Sequence, residues 1–209
     1  MRSLVLATTW LALGCFAQEP TQPAPFLDAT VIQAHSPAYH GVATTLDAAS
    51  TPDYTNLHAA SAADAGGSLH LSVVASGTIP RFPDGFVRSV AVFGYAWVDA
   101  ETNRGIVAVI HPTIGRDSHQ NPDGWHTHPV LLSAGTASST FCLAGIGPSQ
   151  GGLTLRDEVL ALNIALSQAG VSATALDLAA SFVVVGDAGC AELAPGVRLG
   201  VQVLDTKTL

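Results

Sequence analysis

The chain carries eight histidines, at positions 35, 40, 58, 70, 111, 119, 126 and 128, and none follows His128. Four fall within the single stretch HPTIGRDSHQNPDGWHTH, from His111 to His128. Imidazole nitrogen is a good ligand for borderline metals such as copper and zinc. On a β-strand, His126 and His128 share one face with Cβ atoms about 7 Å apart, near enough for both rings to reach one ion. His111 ends the preceding apolar segment and supplies a third nitrogen if that segment is the neighbouring strand. Asp117, His119 and Asp123 lie in the connecting loop, where one of them can swing in as a fourth ligand, and His119 is the candidate among them. The competing reading is an exposed sheet edge that carries polar aromatics, with Trp125 packing beside them.

These side chains need strands to aim them, and the periodicity supplies strands. From Ser68, the residues Leu69, Leu71, Val73 and Ala75 alternate with His70, Ser72 and Ser76, the pattern of a half-buried strand. Phe86–Val98 is apolar on both faces and reads as a central strand covered on two sides, or one bending between two sheets. The cluster DAETNRG over Asp99–Gly105 is a turn, and Ile106–His111 returns as the second arm of a hairpin. Further strands are expected at Trp125–Leu132, Thr140–Ile146, Ser181–Val185 and Val197–Leu204.

Leu153–Leu166 has helix-forming composition. A helix would leave Leu160 and Ile164 pointing into water, however, whereas a strand turns Leu160, Leu162, Ile164 and Leu166 inward together. A strand is therefore expected there, after a turn at Arg156-Asp157-Glu158. Residues 47–67, rich in Ala, Ser and Asp, read as a mobile loop. Many short strands with regular turn signals and no convincing amphipathic helix predict one all-β domain over residues 27–209. The expected form is an antiparallel β-sandwich, immunoglobulin-like or jelly-roll-like.

Several motifs resemble known families over a few residues. Gly124-Trp125-His126-Thr127-His128 resembles the Gly-Phe-His-x-His strand of copper/zinc superoxide dismutases, which are also exported β-sandwiches with a disulfide. That family needs further histidines well downstream, and this chain has none, so the assignment fails on ligand count. The His-x-His start of the cupin pattern fails as well, because Leu132 and Ser133 stand where a Glu is required. Gly147-Pro148-Ser149-Gln150-Gly151 matches the form of a nucleophile elbow, but no histidine follows Ser149 to complete that triad order. Asp99, Glu101 and Asn103 imitate the opening of a calcium loop, yet Ile110 occupies the position of its closing Glu. A tight hairpin turn explains them better. No catalytic set is legible.

Composition and chain ends set the compartment. Residues 1–17 (MRSLVLATTWLALGCFA) have one basic residue and an apolar run too short to span a bilayer, and read as a signal peptide. Cleavage before Gln18 competes with a lipobox-like site at Cys15, which would leave a lipid anchor there. Residues 18–26 then form a Pro-rich tether. With Cys15 removed or lipidated, Cys142 and Cys190 remain as a pair expected to be disulfide-bonded in an oxidising compartment. The product is expected to be secreted, periplasmic or an outer-surface lipoprotein, with no membrane-spanning segment in the mature chain. Charged residues make up only 11% of the sequence, the formal net charge is -8, and Lys207 is the sole lysine. No basic stripe exists to neutralise phosphates, which argues against nucleic acid as a partner.

Two functions remain open at this point. One is an exported metal-binding protein that holds copper or zinc through His111, His126 and His128 with His119. The other is a non-catalytic binding, adhesion or structural envelope module, in which Trp125, Tyr95 and Trp97 contact glycan or a protein partner.

Overall fold

A computed structural model describes residues 51–112 and 124–209. The leader, the tether, His35, His40, Asp117, His119 and Asp123 lie outside the described residues. Ten antiparallel strands account for most of the rest. They are β1 (Leu57–Ala65), β2 (Ser68–Ala75), β3 (Phe93–Asp99), β4 (Arg104–Ile110), β5 (His126–Ala134), β6 (Phe141–Ile146), β7 (Gly152–Arg156), β8 (Val159–Ala165), β9 (Leu178–Gly186) and β10 (Leu199–Thr208). Two short helices, α1 (Gly85–Val90) and α2 (Leu166–Ala169), join them.

The all-β, antiparallel expectation holds, but the arrangement is more closed than two open sheets face to face. Strands β10-β6-β5-β4-β3-β9 form a closed barrel, and β1-β2-β8-β7 form a four-stranded sheet. Closure rests on a narrow seam, in which Gly200 and Val201 of β10 pair with Cys142 and Phe141 of β6. Hydrophobic alternation reports which face of a strand is buried. It does not report which distant edge a strand pairs with, and so the seam has no signature in the sequence.

The small sheet packs on the outside of the barrel. Leu69, Leu71, Val73, Leu160, Leu162 and Ile164 of that sheet meet Phe93, Tyr95, Trp97, Ile106, Ala108 and Ile110 of β3 and β4 in one core. The alternate residues of those strands, Ala96, Val98, Val107 and Val109, turn into the barrel with Val130, Leu132, Leu143, Phe182 and Val184. This explains why β3 is buried at every position. Its large rings fill the wide space between layers, and its small residues line a barrel too narrow for them. Gly94 marks the tightest inner point. A Cβ there would lie 2.5 Å from the Ala108 carbonyl oxygen and 2.9 Å from both Phe182 Cζ and Val109 Cγ1.

Several sequence expectations need correction. Phe86–Val98 is not one strand: residues 85–90 form α1, because the Asp84 side chain accepts a hydrogen bond from the Val87 amide and caps the turn. Ala91, at φ 66°, then breaks the helix before β3. Residues 57–65, expected within a loop, form β1, paired with β2 along its length. Leu153–Leu166 is extended as expected, but as a hairpin of β7 and β8 in which Asp157 adopts φ 49°. Leu160, Leu162 and Ile164 point inward, and Leu166 opens α2.

Asp99 organises the β3–β4 turn, as the tight-hairpin reading of these residues expects. Its carboxylate accepts from the amides of Glu101 and Thr102 and from the Thr102 hydroxyl, at 2.9, 3.0 and 2.6 Å. These bonds, that from the Thr102 side chain foremost, hold its carboxyl below the usual range. Cys142 and Cys190 are joined in a disulfide with a Cα–Cα distance of 5.5 Å. It ties β6 to the segment between β9 and β10, beside the closing seam. Among the described residues, no helix is long and apolar enough to cross a membrane.

Candidate metal centre

Strand pairing decides where the histidines go. β4 and β5 are antiparallel neighbours, with Val109 opposite His126 and Val107 opposite His128. Val107 and Val109 face the barrel interior, so both histidines turn into it as well. His111 follows β4 two residues beyond Val109 and keeps the same facing, which brings it to the same end of the barrel. All three rings are at least nine-tenths buried, with exposures of 7%, 3% and 7% for His111, His126 and His128.

Residues on the opposite side of β5 hold it in place. Trp125 turns outward, stacks on Tyr95 with ring centroids 5.6 Å apart, and donates its indole N–H to the Pro80 carbonyl at 2.7 Å. Thr127 also faces away from the histidines, and its hydroxyl donates to the Gln150 carbonyl. The alternation Trp-out, His-in, Thr-out, His-in leaves the two histidines no other direction.

Each ring is then fixed by its Nδ1. In His111 this atom lies 2.8 Å from the Pro112 carbonyl oxygen, in His126 it lies 3.0 Å from that of Gly124, and in His128 it lies 2.8 Å from that of Gly147. A carbonyl oxygen only accepts, so every Nδ1 carries the proton and donates. In the neutral imidazole this leaves Nε2 as the lone-pair nitrogen, the tautomer a metal-ligating histidine needs.

The Nε2 atoms of His111 and His126 approach to 3.1 Å. Their rings stand nearly perpendicular, with centroids 4.7 Å apart, and His128 lies edge-on to His126 at 5.0 Å. Two lone pairs that face each other at hydrogen-bond distance repel, because neither neutral ring has a proton there to share. A cation between them, either a proton or a metal ion, removes the conflict.

Of the four ligands expected from sequence, the fold sets His111 against His126 and His126 against His128, while His119 lies outside the described residues. Among the described residues, no group of three or more His, Cys, Asp or Glu side chains is placed so that it could hold a metal ion together. The convergent element is the His111–His126 pair. His58 and His70 sit on exposed positions of β1 and β2, away from this end of the barrel interior. The carbonyls of Pro112, Gly124 and Gly147 were not legible as part of the site. Only Gly147 left a trace, as a glycine where β6 gives way to a loop. A Cβ on Gly147 would lie 2.4 Å from Pro129 Cγ, so only glycine lets this backbone approach β5 closely enough to reach His128.

The aromatic residues of the alternative reading are placed elsewhere. Tyr95 and Trp97 are fully buried between the layers, and Trp125 is partly buried against them. These three rings do not form an exposed binding face. Comparison with family models, curated proteins and solved structures returned no match for the chain.

Proposed function

We propose that this chain is an exported metal-binding protein that holds copper or zinc in the mouth of its barrel. The observation that carries the reading is the 3.1 Å approach of the His111 and His126 Nε2 atoms while both Nδ1 atoms donate to backbone carbonyls. His111 and His126 are the primary ligands. His128, on the same strand face with its own Nδ1 anchored, is the third, and His119 is the sequence candidate for a fourth. A net charge of -8 favours a cation over an anion at the site. Export through the residue 1–17 leader, with Cys15 removed or lipidated, accords with the Cys142–Cys190 disulfide. Metal capture suits so enclosed a site better than turnover, which needs an open coordination position.

The test is elemental analysis of the mature, tag-free protein after incubation with Zn2+ or Cu2+ and desalting. About one ion per chain is expected, lost in His126→Ala and reduced in His128→Ala. Metal-free wild-type protein would overturn the proposal and assign the cation between the rings to a proton.

A further inference from the structure

We infer that β7 is a docking edge for a second copy of this chain, the two copies being related by a twofold axis at Thr154. The barrel closes on itself, so among the described residues the end strands of an open sheet are β1 and β7. The β1 edge is blunted. Asp205 accepts from its first amide, that of Leu57, at 2.7 Å, Asp64 accepts from the Ala173 amide at 3.0 Å, and the pairing with β2 shifts register between Leu57 and Ala59. The β7 edge carries none of these devices. It pairs with β8 without a register shift, contains neither proline nor lysine, and lies last in its sheet. An edge strand of this kind offers its outward amides and carbonyls to another strand.

The sequence of β7, Gly152-Leu153-Thr154-Leu155-Arg156, complements itself when run antiparallel. In the register that pairs the whole strand, Thr154 faces Thr154 of the second copy, Leu153 faces its Leu155 and Gly152 faces its Arg156. Directly opposed residues of an antiparallel pair share one face. Leu153 and Leu155 are only partly buried against the core between sheet and barrel, so the leucines of each copy cover those of the other. On the outer face each arginine lies over a glycine, and no like charges meet. Asp157 and Glu158 of the two copies stand at opposite ends of the joined strands. Charge therefore permits this partner, and the match is fixed by the sequence of β7 itself, as it is for no other strand. A contact one short strand long falls below the about 1,000 Å2 that a stable interface buries, so a dissociation constant on the order of 0.1 mM is expected.

The test is sedimentation equilibrium of the full mature chain from about 10 μM to about 1 mM. Wild type should pass from monomer to dimer with no larger species, because twofold pairing uses up the edge. Thr154 is exposed, so Thr154→Lys and Thr154→Asp leave the fold intact while setting like charges face to face, and each should weaken dimerisation about tenfold or more. An equimolar mixture of these two variants should dimerise again, at least as well as wild type. Ser61→Lys, on the exposed face of β1, should associate as wild type does. A wild type that stays monomeric throughout would overturn the inference. So would a dimer that persists in both Thr154 variants, or a mixture of them that fails to recover it.

Discussion

At the residue scale, the site depends on backbone approach as much as on the histidines. Gly147→Ala forces its Cβ against Pro129 and shifts the carbonyl that holds His128. The expected cost is about 1–3 kcal/mol in urea unfolding, with weaker metal retention than wild type. Gly94→Ala, which meets Ala108, Val109 and Phe182, should destabilise by at least as much, since two of those contacts belong to packed side chains and the third is backbone. A wild-type urea midpoint in either variant would contradict the packing described for the barrel. Asp187 makes a separate, pH-dependent contribution. Hydrogen bonds from Ser139, then Thr136 and the Gly189 amide, hold its carboxyl below the usual range. A folded pKa below the unfolded one stabilises the fold above the unfolded value, near 3.9, and the gain is lost as pH falls through the folded value. Asp187→Asn should therefore change less in urea midpoint between about pH 5 and pH 3 than wild type does.

At the element scale, β4 and β5 set the site, and the disulfide guards the seam that keeps them in a closed ring. Only two residue pairs join β10 to β6, supplemented by the Thr140 amide donating to Val201. The Cys142–Cys190 bond spans 48 residues, and closing a loop of that length is worth about 4 kcal/mol in the chain-entropy model. Reduction, or Cys142→Ala with Cys190→Ala, should lower stability by roughly that amount, read as the change in urea unfolding free energy. No loss would mean that the seam holds without its staple. Much of this scale was legible in advance. The β3–β4 hairpin, the β5 and β6 strands and the extended reading of β8 all follow from alternation with turn residues at the ends. Helix α1 was missed because Phe86, Val87 and Val90 continue the apolar run of β3, and only the Asp84 cap separates helix from strand. Strand β1 was missed because only Leu57 is buried and its remaining Ala, Ser, His and Asp residues are exposed or partly buried, so no hydrophobic alternation marks it.

At the scale of the whole molecule, metal binding and folding are expected to be coupled. A ligand that binds only the folded state at 100 times its dissociation constant stabilises it by about 2.7 kcal/mol. For a domain of this size that raises the melting temperature by roughly 5–10 °C. Zn2+ should produce such a rise in wild type, EDTA should reverse it, and His126→Ala should show neither. An equal rise in His126→Ala would place the bound ion elsewhere on the surface.

The sequence by itself determined the β-rich class, the pairing of Cys142 with Cys190 and the common facing of His126 and His128. Each depends on composition or on a period of two, and those are local properties of the chain. Tertiary structure alone decided that the strands close into a barrel, that His111 lies against His126, and that three backbone carbonyls fix the rings. Those depend on the register between strands and on how closely two backbones approach, which is set by packing between residues far apart in the chain.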